Sequence, residues 1–413
     1  MFFNMSTVTI LTPVHIGSGL SVELPSFEAS HVSDHLLNRY DFSEVLASMP
    51  SKTLLDKQFL KSLASQQGSK AKLYSRIHQE AKYTLLKPLY SIVWKQETDS
   101  VTKGNIKCSR SDIAEQVKDL NKPYIPGSSL KGAIENALKF CILQEALEHD
   151  FKAIDNLLNY LKNHPKRVQD GFLLEALDNW NGKEANEFFN ALFSCLAVSD
   201  VFFEKMEIFV VTRENIRVDK NMDLPSAETI QHNQSTEINQ LIQIDKKKLE
   251  WLRKEYTHQL DHSWLGQKIL EWFTLDNLMK ACSQFTNYAM RMDKNKPIEE
   301  MYKEIDKSLN AKNGIIDFME SIIQQTESRN LKRNECILRV GKDTDYFFKS
   351  LSALIKNDYP DDYIDLFESV FSPLKVSKNK KKAGPDPDKM PVTRVVYYND
   401  DCAMLPGFIR ICL

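Results

Sequence analysis

Segments whose apolar positions fit β-strands alternate along this chain with segments whose apolar positions fit helices. Residues 7–12 begin the pattern with the run Thr-Val-Thr-Ile-Leu-Thr, which is rich in β-branched residues and predicts a strand that ends at Pro13. The same reasoning predicts later strands at residues 201–218, 238–244, 336–340, 394–398 and 408–413.

Helical spacing is clearest in a segment whose apolar residues share one face, namely Leu130, Ile134, Leu138 and Cys141. Ser128 or Ser129 is expected to form the N-cap of this helix, because serine hydroxyls accept from free helical N–H groups. Further helices are predicted at residues 42–63 with an interruption at Pro50, and at residues 151–161, 172–196 and 246–328.

The resulting order of strand, helices, strands, helices and strands indicates an α+β fold in which helical insertions interrupt one antiparallel core. We expect residues 1–245 to hold the core with inserted helices and loops. Residues 246–330 are then a helical insertion, and residues 331–413 supply the C-terminal strands that complete the core.

The amino-acid composition and charge limit the classes of function that this chain could have. The 413 residues are 42% hydrophobic and 27% charged, with a formal net charge of −2, so a nucleic-acid-binding role needs a local basic strip. Seven cysteines without a CxxC pair favour reduced thiols and a cytoplasmic location. The most apolar stretch, residues 188–211, is interrupted by Asn190, Asp200 and Glu204, which argues against a membrane span.

The first candidate site is residues 15–21, His-Ile-Gly-Ser-Gly-Leu-Ser, directly after the first strand. Glycines let backbone N–H groups approach an anion closely. A dinucleotide fingerprint would need a third glycine where Val22 stands. Taken alone, a plain turn is the simpler interpretation, because glycine pairs are common in loops.

The second candidate is residues 125–132, Ile-Pro-Gly-Ser-Ser-Leu-Lys-Gly, at the start of the predicted helix. Free N–H groups, two hydroxyls and Lys131 at a helix N-terminus favour phosphate. The segment is not a Walker A loop, because Lys131 follows leucine and precedes glycine. A well-capped helix without a ligand explains the segment equally well.

Together these segments resemble the RAMP superfamily of CRISPR effector proteins, and most closely the type III-A (Csm) subunit that caps the 3′ end of the guide RNA. The resemblance rests on residues 11–19 (LTPVHIGSG), 124–138 (YIPGSSLKGAIENAL), 196–200 (LAVSD), 227–229 with 242–245, 337–341 (ILRVG) and 405–413 (LPGFIRICL).

The resemblance implies a ferredoxin-like (RRM-like) core with large helical insertions and motifs that face the RNA backbone. It assigns RNA contacts to the first loop, the second loop and the late glycine turn, namely His15, Gly17, Ser18 and Gly19; Gly127, Ser128, Ser129 and Lys131; and Arg339, Gly341 and Lys342. Such residues bind phosphates and carry no base specificity.

The function implied is that of a non-catalytic guide-RNA (crRNA)-binding subunit of a type III-A interference complex. It caps the 3′ end of the RNA-bound filament and aids guide maturation and antiviral defence. The expected partners are crRNA, other subunits of the complex and target RNA nearby, with no membrane, no cofactor and no metal.

Two alternatives stay open. The first is a metal-dependent endoribonuclease of the same superfamily, which would need an acidic residue such as Asp34, beside His31 and His35. No third metal ligand is evident in the sequence, so a surface loop is the simpler interpretation of these residues. A nucleotide-binding enzyme is disfavoured by the failed glycine patterns. The six lysines of residues 375–389 either extend a basic strip or form a solvated charged loop.

Overall fold

The fold is given by a computed structural model, and it confirms the α+β class. Its description covers residues 5–23, 30–33, 36–64, 73, 76–77, 79–93, 112–150, 152–164, 170–215, 222–309, 314–327, 330, 334–349, 351–364, 393–399 and 402–413.

A four-stranded antiparallel sheet joins the two ends of the described chain. Met5–Ile10 lies between Ser235–Asn239 and Phe408–Cys412, and the latter strand also pairs with Glu335–Arg339. Alternate residues of the first strand, Val8 and Ile10, are fully buried, as the period of a strand with one core face requires. The N-terminal strand therefore depends on strands about 230 and 400 residues away in sequence for its pairing.

Two long helices pack against this sheet. Gly127–His149 and Leu275–Asp293 contact each other, with the rings of Phe140 and Phe285 5.1 Å apart, and both contact the strand Glu335–Arg339. This layer of helices on an antiparallel sheet is the arrangement expected of the core. Helix Leu275–Asp293 thus shares the core with helix Gly127–His149, and the predicted limits at residues 245 and 330 stay predictions.

A second sheet continues from the first. Its main path runs through Gly17–Glu23, Asp112–Gln116, Ser226–Ile230, Met206–Asn215, Tyr90–Val93, Leu36–Arg39 and Ser30–Ser33. The far half of Met206–Asn215 pairs with Met222–Asp223 and with Thr393–Asn399, which also pairs with Cys402–Met404. Because Gly17–Glu23 follows Met5–Ile10 after a short link, residues 11–16 connect the two sheets.

The remaining strands form small ribbons. Lys122–Ile125 pairs with Lys118–Asp119 and Val201–Phe202, and Leu196–Val198 pairs with Ile242–Ile244. The other helical segments are Phe42–Ala47, Ser51–Leu54, Lys57–Ala64, the 3₁₀ turn Tyr83–Leu85, Ala153–Asn163, Phe172–Asp178, Gly182–Ser194, Lys246–Glu255, Thr257–Asp261, Trp264–Trp272, Lys296–Ser308, Ile315–Gln325 and Ser352–Asp358. No helix in these described ranges is long and apolar enough to cross a membrane.

Several predicted elements are divided, among them the strand predicted at residues 201–218, which forms Val201–Phe202 and Met206–Asn215 in different sheets. The strand predicted at residues 238–244 is wrong as one element, because Gln240 adopts a left-handed conformation with φ 54° and sends the chain from one sheet to another. The helix predicted at residues 172–196 is broken in the same way at Asn179, with φ 55°. Asparagine tolerates this region better than most residues, whereas glutamine is uncommon there.

Candidate functional site

Three turns from distant parts of the sequence meet at the end of the first strand. The N–H of Gly407 donates to the carbonyl of Pro13 at 2.9 Å, and the N–H of Val340 donates to the carbonyl of Gly407 at 2.8 Å. The N–H of Lys342 donates to the carbonyl of His15 at 3.0 Å. We call this meeting of residues 12–19, 339–342 and 406–408 the turn cluster. It brings together the first loop and the late glycine turn.

Two glycines allow the turn cluster to close. Gly341 has φ +105°, and a Cβ at this position would lie 2.6 Å from the carbonyl oxygen of His15. Gly407 has φ +96°, and its Cβ would lie 2.3 Å from the carbonyl oxygen of Val340. Only glycine fits such close backbone contacts in this conformation. Sequence reasoning did not include Gly407, although it stands in the terminal motif.

The side chain of His15 lies inside the protein, with 2% of its surface exposed. Its Nδ1 is 2.8 Å from the carbonyl oxygen of Glu228, so Nδ1 carries the proton and donates it. Burial lowers the pKa of this imidazole, partly opposed by the hydrogen bond to Glu228. Its Nε2 faces the backbone of Gly17, with 3.3 Å to a Cβ placed there. His15 therefore anchors the loop instead of presenting an imidazole at the surface.

The rest of the first loop is open. Gly17, Ser18 and Gly19 are exposed, and Gly19 has φ +86° with nothing within 4 Å of a Cβ position. Lys342 is also exposed, and its Cδ lies 3.9 Å from the Cβ position of Gly17. The turn cluster thus presents a short strip of glycine backbone, one serine and one lysine, which are groups that bind phosphates without reading bases.

The predicted contact through Arg339 is not supported by its position. The side chain is fully buried, and its Nε donates to the carbonyl of Pro406 at 2.8 Å. The guanidinium also pairs with Asp345 at 2.9 Å and lies 4.9 Å from the ring centres of Phe348 and Phe408. Arg339 therefore holds the turn cluster together from inside.

The helix at the second loop begins two or three residues earlier than predicted. Pro126 is the N-cap and makes no side-chain cap bond, so the prediction that Ser128 or Ser129 caps this helix is wrong. The cap comes from a distant residue, because the N–H of Gly127 donates to Oδ1 of Asp200 at 2.7 Å. This carboxylate occupies the favourable position for negative charge at the helix start.

Packing explains two more residues of the second loop. A Cβ on Gly127 would lie 2.1 Å from the carbonyl oxygen of Val198, so glycine is needed here for close contact with a strand. The ammonium group of Lys131 donates to the carbonyl of Leu196 on the same strand at 2.9 Å. Ser128 is exposed, and Ser129 and Lys131 are both half-buried, so the hydroxyl of Ser128 is the most open side-chain donor of these three.

Gln116 ties the two loops together. This buried residue accepts from the N–H of Ile16 at 2.8 Å through Oε1, and its Nε2 donates to the carbonyl of Tyr124 at 3.2 Å. One side chain therefore fixes the start of the first loop and the strand that leads into the second. Its own N–H donates to the carboxylate of Glu228 at 3.1 Å, so the link is held in place by the buried strand Ser226–Ile230.

Glu228 is a buried acid that lies beside the ammonium group of Lys118. Burial raises the pKa of this carboxyl, and Lys118, which forms an ion pair with it, opposes the rise. Sequence reasoning missed Gln116 and Glu228. Glu228 stands in the motif at residues 227–229, although no role was assigned to it, whereas nothing in the polar strand Asp112–Gln116 distinguishes Gln116.

Several predicted features lie beyond this description. Asp34, His35 and residues 375–389 are outside the described residues, and His31 belongs to the strand Ser30–Ser33, whose side chains are not described. Among the described residues, no group of three or more His, Cys, Asp or Glu side chains could hold a metal ion.

Comparison with known proteins gives a family and a fold. The model of the RAMP superfamily matches residues 7–378. A chain in the cryo-EM structure of a Csm–crRNA–target RNA ternary complex of a type III-A CRISPR–Cas system is similar, with a TM-score of 0.64 and 18% identity. The match covers 98% of this chain and 99% of that chain.

The crystal structure of T. onnurineus Csm5 is also similar, with a TM-score of 0.55 and 16% identity, covering 98% of this chain and 100% of that chain. At these identities the likeness to solved structures establishes the fold. A comparison with curated proteins found no match.

Proposed function

The chain belongs to the RAMP superfamily, and on this premise we propose that it is a guide-RNA-binding subunit of a type III-A CRISPR effector complex. Its similarity to a chain of a Csm–crRNA–target RNA complex extends over nearly the full length of both chains, which supports this assignment. Its partners are then crRNA and the other Csm subunits, with target RNA nearby.

The observation that carries the proposal is the turn cluster, which buries its anchors and leaves a phosphate-binding strip open. Gly17, Ser18, Gly19 and Lys342 face solvent, and Ser128 is exposed at the second loop. These groups contact the sugar–phosphate backbone, and Ser129 lies beside them. The remaining assigned residues support the shape of the site: His15, Gly127 and Arg339 are buried, and Lys131 and Gly341 are half-buried.

We further propose that the chain is the non-catalytic subunit that caps the 3′ end of the filament and aids guide maturation. Similarity over the whole of the Csm5 chain supports this finer role. A terminal subunit pairs with one neighbour and prevents the next from adding, which closes a head-to-tail assembly. In this role the chain works in the cytoplasm, in antiviral defence.

Lys342→Ala tests the RNA contact. The purified chain is titrated into two labelled single-stranded RNAs of unrelated sequence at several salt concentrations, and binding is followed by fluorescence anisotropy. We expect a similar loss of affinity for both RNAs and a reduction of the salt slope by about 0.7, because one phosphate contact is lost. Lys183→Ala, an exposed lysine on Gly182–Ser194, is the control and should leave binding unchanged.

Wild-type protein that binds neither RNA at low salt would refute the proposed function. To test the capping role, the complex is expressed with and without this chain, and the bound guides are extracted and sized. The proposal predicts altered 3′ ends when the chain is missing. Cleavage of labelled RNA in Mg²⁺ by the wild type but not by Asp34→Ala would refute the non-catalytic role.

A further inference from the structure

The helix Lys246–Glu255 carries an exposed tryptophan. Trp251 has 52% of its surface exposed, whereas Trp272 in a neighbouring helix is buried at 8%. An exposed indole loses the favourable free energy of burial, about 25 cal/mol for each Å² of apolar surface left in water. The core packing that explains Trp272 therefore does not explain Trp251.

The same helix concentrates positive charge. Its ten residues, KKKLEWLRKE, include five lysines or arginines and two glutamates, a local charge of +3 in a chain whose net charge is −2. Lys246, Lys247, Arg253 and Lys254 are exposed, and none forms an ion pair with a described residue. The local field therefore attracts a polyanion.

The position of three lysines is unfavourable for the helix itself. Lys246, Lys247 and Lys248 fill the first turn, which contains no acidic residue. Positive charge at a helix N-terminus opposes the helix dipole. Helix stability therefore does not account for Lys246 and Lys247, whereas contact with an anionic partner does.

The lysines surround the tryptophan. Lys247 and Lys248 precede Trp251 by four and three positions, and Lys254 follows it by three positions. Side chains three or four positions apart are neighbours on the surface of a helix, so these lysines lie on the same side as the indole. Leu252 is fully buried and faces the protein. A flat aromatic surface flanked by cations is the composition of surfaces that bind single-stranded nucleic acid.

This helix adjoins the second loop of the candidate site. Lys131 donates to the carbonyl of Leu196 at 2.9 Å, and Lys248 donates to the carbonyl of Ser194 at 3.4 Å. The N–H of Asp245, the N-cap of the helix, donates to the carbonyl of Cys195 at 2.8 Å. The start of the basic helix is therefore fixed to Ser194 and Cys195, and Lys131 near the start of helix Gly127–His149 is fixed to the next residue, Leu196.

We propose that Trp251 stacks on an unpaired base of the single-stranded guide RNA, while Lys247 and Lys254 bind the flanking phosphates. This inference rests on the proposed function and extends the RNA path from Ser128 onto a second helix. The strip of the turn cluster binds phosphates alone, and Trp251 adds a contact that requires a base. An acidic protein surface or an anionic membrane would match the charges but would not need a base.

The test compares a labelled oligouridine with an abasic RNA of equal length and charge, using the full chain. Trp251→Leu should weaken binding of oligouridine roughly tenfold, since a stacking contact is worth about 1–3 kcal/mol for each base. Trp251→Phe keeps an aromatic face and should retain most of the affinity. Binding of the abasic RNA should not change in either variant, and Leu85→Ala, another exposed apolar residue, is the control.

Equal loss of affinity for oligouridine and abasic RNA in Trp251→Leu would overturn stacking. So would binding to phosphatidylserine vesicles that requires Trp251 while RNA binding does not. If wild-type protein binds RNA and Lys342→Ala weakens that binding but Trp251→Leu does not, this inference fails and the proposed function stands. If wild-type protein binds no RNA, both fail. Circular dichroism melts of each variant check that the fold is retained.

Discussion

Two glycines in one helix should respond oppositely to the same substitution. Gly127 is the first residue of helix Gly127–His149, and its Cβ position lies 2.1 Å from the carbonyl oxygen of Val198. Gly132 stands five residues later in the same helix, and nothing lies within 4 Å of its Cβ position. Gly127→Ala therefore tests close packing against a strand, and Gly132→Ala is its matched control.

The size of the expected loss of stability follows from the contacts that an alanine at residue 127 would disturb. Ordinary contact begins near 3.4 Å, so the helix start must retreat by about 1.3 Å. This movement stretches the bond from the N–H of Gly127 to Asp200, which is 2.7 Å, and the bond from Lys131 to Leu196, which is 2.9 Å. Bonds with a charged partner are worth roughly 1.5–3 kcal/mol each, so the free energy of unfolding should fall by about 3–6 kcal/mol.

Gly132→Ala should instead raise the free energy of unfolding by about 0.8–1 kcal/mol, because alanine is the better helix former and has room here. Urea denaturation followed by circular dichroism gives both shifts as changes in the transition midpoint. A Gly127→Ala variant as stable as the wild type would refute the packing argument. If that stable variant also lost RNA binding, glycine at residue 127 would be needed for approach of the RNA instead.

Two further predictions concern the turn cluster. Gly341→Ala should lower the free energy of unfolding by roughly 2–4 kcal/mol, because positive φ and a 2.6 Å approach to His15 act together. Gly19→Ala has only the cost of positive φ, about 1–2 kcal/mol. Equal shifts of the urea midpoint in the two variants would contradict this difference. His15→Gln tests the pH dependence of stability. Burial lowers the pKa of the folded imidazole below its ordinary 6.5, so the unfolded chain binds more protons than the folded chain below that pH. The stability of the wild type should therefore fall relative to that of the variant as pH decreases through 6.5. A stability difference that stays constant between neutral pH and pH 5, measured in urea, would contradict the buried neutral histidine.

Much of the fold could be predicted because its signals are local. The β-branched run at residues 7–12, the helical spacing after Leu130 and the break at Pro50 each follow from neighbouring residues, and the structure has a strand, a helix and a helix boundary there. The division of residues 238–244 at Gln240 could not be predicted in the same way. It depends on two different partner strands, Met5–Ile10 and Leu196–Val198, which local periodicity does not reveal.

The candidate site shows a different limit. Glycine, serine, lysine and arginine can build a turn or bind a phosphate with the same chemical groups, so residue type alone does not separate the two roles. Exposure separates them: Arg339 is enclosed by two phenylalanine rings, and Lys131 is bonded to a strand carbonyl, whereas Lys342 is open.

The partners that decide these roles lie far away in sequence. Val198 is 71 positions after Gly127, and Glu228 is 213 positions after His15, so the constraint on each residue is invisible from its own segment. A motif made of such residues therefore shows where the chain forms a tightly packed turn, and it does not by itself show which atoms contact a ligand. For a binding surface made of backbone and short side chains, the residues that preserve the turn should dominate stability, and the few exposed residues beside them should dominate affinity.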